Sequence, residues 1–127
     1  MADVVLFGTG KIAEVVAGYL ERDGRHRVVA HTVDADWVGE ASHQGRPVVA
    51  FQEVESHYPP EGHAMFIALG YHDLNRVRAE RCEQARAKGY ELISYVSPLS
   101  WPGPEHVQTG DNCLVLDGAA IQPGATI

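Results

Sequence analysis

The segment that most constrains the fold is a short apolar run followed by a glycine-rich turn near the start of the chain. Val4 to Phe7 are all apolar, which is typical of a strand buried on both faces of a parallel sheet. Gly8 to Ala13 follow directly and fit the pattern G-x-G-x-x-G/A, and apolar residues then recur at helical spacing. A strand, a tight glycine turn and a helix in this order predict the first βα unit of a doubly wound α/β domain.

The same alternation continues along most of the chain. Further strands are predicted at residues 28–33, 47–50, 65–69 and 92–96, with helices over residues 12–22 and 51–57 and from Asp73 to Gly89. Residues 34–46 are polar and irregular and are predicted to form a loop. Because strands and helices alternate, right-handed crossovers and a parallel sheet with flanking helices are expected. The predicted fold over residues 1–97 is a small Rossmann-like α/β domain.

The last 30 residues are rich in proline and glycine and show a different period. A β-branched residue occupies the first place of each six-residue repeat and a small residue occupies the fifth. The first-place residues are Thr109, Val115, Ile121 and Ile127, and the fifth-place residues are Cys113, Ala119 and Ala125. A triangular β-helix needs an inward aliphatic residue on each side and a small residue near each corner. Residues 98–127 are therefore predicted to begin a hexapeptide-repeat β-helix, the alternative being a glycine-rich loop with chance matches.

Charge and composition exclude several classes of function. The chain carries 10 basic and 17 acidic residues, a formal net charge of −7. This argues against a nucleic-acid partner, because nucleic-acid modules usually carry a basic face. No signal peptide is recognised and no stretch approaches the ~20 apolar residues that span a bilayer, so a cytoplasmic protein without a membrane segment is predicted. The two cysteines suggest no disulfide framework.

A ligand site is predicted at the edge of the sheet where the strands end, because doubly wound sheets bind their ligands there. The glycine turn lets the backbone approach a phosphate, the helix N-terminus offers free N–H groups, and a lysine adds a cation. The alternative is a tight turn without a ligand. An aspartate ends the second strand, where it is either a ribose-binding carboxylate or a solvated loop acid. The predicted ligand-binding residues are Gly8, Thr9, Gly10, Lys11, Asp34, Gly70 and Asn75.

No residue of the chain is predicted to be catalytic, and no metal site is expected. None of the seven histidines pairs with another at the spacing of metal ligands. His72, in the loop at the sheet edge, is the one histidine selected for testing. No Ser-His-Asp order with a nucleophile elbow is present, and Cys82 and Cys113 are interpreted as structural.

Together these motifs resemble the sugar O- and N-acyltransferases of the left-handed β-helix superfamily, of the sialic acid O-acetyltransferase and bacillosamine N-acetyltransferase type. The resemblance is carried by residues 7–11, 67–70, 89–90, 95–98 and 110–123. It implies a nucleotide-sugar-binding N-terminal domain, with the glycine turn and Asp34 facing the nucleotide. It further implies acetyl-CoA as co-substrate between neighbouring subunits and a homotrimer built on the β-helices. A histidine on the β-helix would act as general base toward the sugar amine or hydroxyl.

The sequence departs from this pattern in its last residues. The catalytic histidine of such enzymes lies later in the β-helix, whereas His106 precedes the repeat. A single solenoid coil is not expected to be stable alone. The chain is therefore expected to be a truncated part of a longer acetyltransferase that binds the nucleotide-sugar without the catalytic coils. Two alternatives stay open: an NAD-binding module of an oxidoreductase using Gly8, Gly10, Ala13 and Asp34, and a non-catalytic binding or trimerisation module.

Overall fold

The computed structural model describes residues 2–24, 26–39, 42–69, 76–96 and 114–115. The elements are β1 (Ala2–Phe7), α1 (Lys11–Asp23), β2 (His26–Val33), β3 (Ser42–His43), β4 (Arg46–Ala50), α2 (Val54–His57), β5 (Ala64–Ile67), α3 (Arg76–Ala87), β6 (Glu91–Leu92), β7 (Tyr95–Val96) and β8 (Leu114–Val115). Two short 3₁₀ turns, Ala35–Trp37 and Phe51–Glu53, follow β2 and β4. The chain divides into two compact units, Met1–Leu92 and Ile93–Ile127.

The first unit is built on a six-stranded sheet in the order β3-β4-β2-β1-β5-β6. Five of these strands run parallel, and β3 pairs antiparallel with β4. With three helices this is an α/β fold, as the alternation of strands and helices predicts. The sheet is mixed because a hairpin adds β3 to one edge. The strand order reverses between β1 and β5, which is the switch point where such sheets form a crevice.

The core lies on both faces of the two central strands. Val4, Val5 and Leu6 are completely buried, and all four residues of β5 are buried as well. This explains why these strands are continuously apolar in sequence, since neither face meets water. On one face the ring of Phe7 meets the ring of Phe51 edge to face, with centroids 5.1 Å apart.

The predicted loop over residues 34–46 contains more structure than its polar sequence indicates. After the turn at Ala35–Trp37, β3 and β4 form a hairpin around Gln44 and Gly45, whose φ angles are 52° and 78°. Positive φ at both central residues is the signature of a type I′ turn, whose twist matches that of paired strands. A two-residue strand is too short to show an apolar alternation, so the sequence pattern missed it.

The strand predicted over residues 92–96 is interrupted. β6 ends at Leu92 in the six-stranded sheet, while Tyr95–Val96 pairs in parallel with Leu114–Val115 in a separate two-stranded sheet. Most of the predicted β-helix over residues 98–127 lies outside the described residues and stays a prediction. The chain divides after Leu92 into two compact units, and each unit has its own sheet.

Helix α1 buries a stripe formed by Ala13, Val16, Ala17 and Leu20. Ile12 and Val15, which are also apolar, lie beside this stripe and are 38% and 43% exposed. Gly24 ends the helix in the left-handed conformation, and its N–H donates to Glu21 O. Among the described residues, no helix has the length and apolar character needed to cross a membrane.

Candidate functional site

The candidate site forms where β1, β2 and β5 end side by side. In the parallel register Phe7 lies between Thr32 of β2 and Ile67 of β5. The residues that follow these strands therefore emerge at one edge, which brings the glycine turn next to Asp34 although they are far apart in sequence. This is the edge at which the sequence predicted a ligand.

Gly8 is required by the backbone at this edge. Its φ is +123°, and a Cβ there would lie 2.8 Å from the carbonyl oxygen of Ala68. Its N–H donates to Thr32 O at 2.9 Å, and Ala68 N–H donates to Phe7 O at 2.9 Å. These bonds extend the ladder of the three strands by one residue and fix the turn against its neighbours.

Gly10 meets a different constraint. It is the N-cap of α1 with φ −87° and ψ −167°, and no atom of the described residues lies within 4 Å of the position of a Cβ. The first helical bond runs from Glu14 N–H to Gly10 O, so the N–H groups of residues 11–13 have no intrahelical partner. Within the described part of the chain, no side chain caps this helix end. The N-terminus of α1 thus presents donors and positive potential to open space.

A cavity of about 650 Å³ opens at this point, a size that suits a small ligand. Its lining combines strand ends, the glycine turn and one face of α3. The lining residues are Phe7, Gly8, Thr9, Gly10, Lys11, Ile12, Val33, Asp34, Ala68, Leu69, Val77 and Arg81.

Asp34 carries the carboxylate of the site and is held by residues from two other elements. Arg81 of α3 donates Nη2–H to Asp34 Oδ2 at 2.6 Å. Gln52 approaches Asp34 Oδ1 with its amide nitrogen at 3.4 Å, and its own oxygen accepts Ala35 N–H at 2.9 Å. The two carboxylate oxygens of Asp34 are therefore unequal: Oδ2 is in a short charged bond, and Oδ1 keeps capacity to accept a further donor.

His31 lies behind the glycine turn and is completely buried. Burial lowers the pKa of His31, as do the nearby His43 and Arg46, against the opposing effect of its hydrogen bond to Gly8. The neutral ring donates Nδ1–H to Gly8 O at 2.9 Å. The His31 and His43 rings meet edge to face at 5.0 Å. A buried imidazole thus supports the backbone of the first glycine of the turn.

Comparison with known proteins was made against family models, curated sequences and solved structures. No family model and no curated protein matches the chain. Among solved structures, a histidine variant of perosamine N-acetyltransferase from Caulobacter crescentus, in complex with CoA and GDP-perosamine, is 30% identical with a TM-score of 0.81. The match covers 100% of this chain and 57% of that enzyme. The chain matches the N-terminal part of sugar N-acetyltransferases.

The resemblance to sugar acyltransferases predicted from the sequence is thereby confirmed. PerB from the same organism, also with CoA and GDP-perosamine, is 28% identical with a TM-score of 0.77 over 100% of the chain and 57% of PerB. The acetyltransferase domain of PglB from Neisseria gonorrhoeae shares the fold at 24% identity, with a TM-score of 0.75 over 98% of the chain and 57% of that domain. The chain thus spans a little over half the length of each of these matched acetyltransferase chains.

The same fold also occurs in a protein of another class. A Rex-family repressor in complex with NADH matches at a TM-score of 0.57 with 10% identity. At that identity the match shows the α/β fold alone. Because proteins of different function share this fold, a glycine turn of this kind also invites an NAD-binding interpretation.

The structure brings together most of the residues that the sequence selected. Gly8, Thr9, Gly10, Lys11 and Asp34 all line the same cavity. Gly70 and Asn75 lie outside the described residues, as does His72. No group of three or more His, Cys, Asp or Glu side chains that could hold a metal ion exists within the part of the chain that the structure describes.

Arg81 is the site residue that sequence reasoning missed. It sits one helical turn after Val77, and both side chains line the cavity from α3. A spacing of four residues on one helix face was the available signal. It carried little weight by itself, because most arginines on a helix are solvated.

Proposed function

We propose that this chain binds a nucleotide-sugar at the crevice and forms the N-terminal portion of an acetyl-CoA-dependent sugar N-acetyltransferase. The observation that carries the proposal is the cavity of about 650 Å³ beside the glycine turn and the open N-terminus of α1. It occurs in a chain 30% identical, over its whole length, to an enzyme whose structure holds CoA and GDP-perosamine. Whole-enzyme activity is part of the proposal, since the match spans 57% of that enzyme.

The predicted residues have distinct roles in this proposal. The diphosphate of the ligand lies at the N-terminus of α1, where Thr9 and Gly10 offer backbone groups and Lys11 offers a cation. Gly8 lets the backbone take the path that opens this space. Oδ1 of Asp34 accepts a hydrogen bond from a hydroxyl of the ribose. Gly70 and Asn75 stay predictions for the same edge.

The proposed reaction transfers an acetyl group from sulfur to nitrogen. The free amine of the sugar attacks the thioester carbonyl of acetyl-CoA, an amide bond forms, the C–S bond breaks and CoA leaves as the thiol. A general base must take the proton of the attacking amine. We assign no residue of this chain to that role. The homotrimer that the resemblance implies belongs to the proposal. The hexapeptide β-helix and the cytoplasmic location, both predicted from the sequence, belong to it as well.

The proposal is tested by calorimetric titration of the protein with GDP, UDP and NAD. A nucleoside diphosphate is expected to bind more tightly than NAD. Lys11→Gln is expected to weaken diphosphate binding about tenfold, because a charged hydrogen bond to phosphate is lost. Arg86→Gln, an exposed position near the end of α3, is the matched control.

Two outcomes would favour the alternatives. Tight binding of NAD with no affinity for GDP or UDP would point to a dinucleotide-binding module. A discrete trimer in solution without affinity for any of the three nucleotides would point to an assembly module.

A further inference from the structure

Arg81 crosses the switch-point crevice of the sheet. Its side chain starts on α3, the helix that follows β5, and its guanidinium carbon lies 5.9 Å from the centroid of the Phe7 ring at the end of β1. From there Nη2 reaches Asp34 Oδ2, at the end of β2, at 2.6 Å. The side chain therefore passes over the end of β1, where ligands of such sheets lie.

The ion pair is shielded from solvent and held from more than one side. The side chains of Arg81 and Asp34 are 20% and 26% exposed. Nη1 of Arg81 also donates to Gln84 Oε1 at 3.0 Å, which fixes the guanidinium along α3. Nε of Arg81 is buried without a hydrogen-bond partner among the described residues. A pair this little exposed is screened less than a surface pair, so the charge of each partner matters to the other.

The charge balance of the cavity depends on this arginine. The charged residues that line the cavity within the described ranges are Lys11, Asp34 and Arg81. With Arg81 present, the carboxylate of Asp34 is compensated, and these three described side chains together carry a net charge of +1. Without Arg81, an uncompensated carboxylate would share the cavity with the phosphates of a ligand and repel them.

We infer that Arg81 is a specificity-determining residue, which makes the crevice accept a phosphorylated nucleoside by compensating Asp34. The inference rests on the proposed function. Oδ1 of Asp34, whose described contact is the 3.4 Å approach of Gln52, stays available to a ribose hydroxyl. Arg81 thus compensates the charge of Asp34 through Oδ2, while Oδ1 of Asp34 stays available as a hydrogen-bond acceptor.

The test compares GDP with guanosine, which lacks the phosphates, in calorimetric titrations of wild type, Arg81→Gln, Asp34→Asn and the double variant. Arg81→Gln is expected to lower GDP affinity about tenfold or more and to change guanosine affinity much less. The double variant is expected to regain most of the GDP affinity, since the repelling carboxylate is gone. Arg81→Lys is expected to keep most of it, because the charge remains.

Asp34→Asn keeps the arginine and tests the inference even if Arg81→Gln fails to fold. It is expected to bind GDP at least as tightly as wild type, because the freed guanidinium then faces the phosphates. Arg86→Gln is the control on the same helix, and circular dichroism confirms folding of each variant.

The outcomes separate this inference from the function on which it rests. If wild type binds GDP but Arg81→Gln loses GDP and guanosine affinity equally, or the double variant is no better than Arg81→Gln, Arg81 is a structural residue and the inference is wrong. A wild-type protein that binds no nucleotide overturns the proposed function and the inference together.

Discussion

At the residue scale, the two glycines of the turn answer to different physical demands. Gly8 has a backbone conformation that L side chains rarely adopt and a carbonyl 2.8 Å from where a Cβ would be. Gly10 has an ordinary extended conformation with open space around it. The first glycine is therefore needed for folding, and the second keeps the entrance of the cavity open.

Gly8→Ala is expected to lower the free energy of unfolding by about 2 kcal/mol or more, through backbone strain and the clash with Ala68. Gly10→Ala is expected to cost about 0.5 to 1 kcal/mol, because alanine is a poorer N-cap than glycine but displaces none of the described atoms. Urea unfolding of both variants checks the difference. Equal losses of stability in the two variants would contradict this account of the turn.

His31 makes stability depend on pH. Burial lowers the pKa of His31 below its ordinary value of 6.5, so the unfolded chain takes up a proton before the folded one does. The neutral ring contributes stability that is fully present above the unfolded pKa. That contribution is lost as the pH falls toward the folded pKa.

Urea unfolding between about pH 7.5 and about pH 5.5 is expected to show falling stability that His31→Gln makes shallower, because glutamine does not titrate. His57→Gln, at an exposed position, is expected to keep the wild-type slope. A His31→Gln profile parallel to that of wild type would show that another group carries the dependence.

At the element scale, a tight turn, a hydrogen bond and an ion pair hold neighbouring elements together. The β3–β4 hairpin depends on two positive φ angles, at Gln44 and Gly45. Tyr90, which follows α3, donates its hydroxyl hydrogen to Tyr58 O at 2.5 Å and ties β6 to the end of α2. Lys88, the residue after α3, pairs with Glu55 of α2, with Nζ 2.8 Å from Oε2.

Gln44→Asn is expected to raise the free energy of unfolding by about 0.5 kcal/mol, since asparagine tolerates the left-handed region that a type I′ turn demands. Gln44→Ala serves as the control, because it removes the same amide without that tolerance and should not stabilise. Thermal unfolding of the two variants gives the comparison. A stabilised alanine variant would indicate that the amide itself is unfavourable there.

Tyr90 is expected to ionise at a higher pH than an ordinary tyrosine. Burial raises its pKa to about 12, with Glu55 and Glu61 adding to the effect. Tyr90→Phe is expected to remove a phenol that ionises near pH 12 from an ultraviolet pH titration. It should also lower the free energy of unfolding by about 1 kcal/mol, since the carbonyl of Tyr58 loses its donor. An unchanged titration would place Tyr90 in contact with water.

At the scale of the whole molecule, ligand binding and stability are linked. A ligand that binds only the folded chain stabilises it by mass action. The site joins the ends of β1 and β2, the start of α1 and one face of α3, so its occupant would bridge elements distant in sequence. Stability is therefore a readout of the site as well as of the core.

GDP at about 100 times its Kd is expected to raise the free energy of unfolding by about 2.7 kcal/mol. Gly10→Ala is expected to reduce this gain, because a methyl group then stands at the entrance of the cavity. Thermal unfolding with and without GDP measures both. A midpoint that does not change with GDP would contradict the proposed site.

The α/β class and the glycine turn could be predicted from sequence alone, because each depends on neighbouring residues. A run such as Val4 to Phe7 is apolar only where both faces of a strand are buried, and this holds whatever the strand packs against. The position of Asp34 at the sheet edge followed from the same logic, because parallel strands end together. Local patterns of burial and turn chemistry need no knowledge of distant contacts.

Three features could be seen only in the folded chain: the pairing of Asp34 with Arg81, the support of Gly8 by His31 and the separation of the strand predicted over residues 92–96 into two sheets. Each depends on residues 23 to 47 positions apart meeting in space, or on which sheet a two-residue strand joins. Such contacts arise from the packing of whole elements, and a periodic pattern within one element carries no information about them.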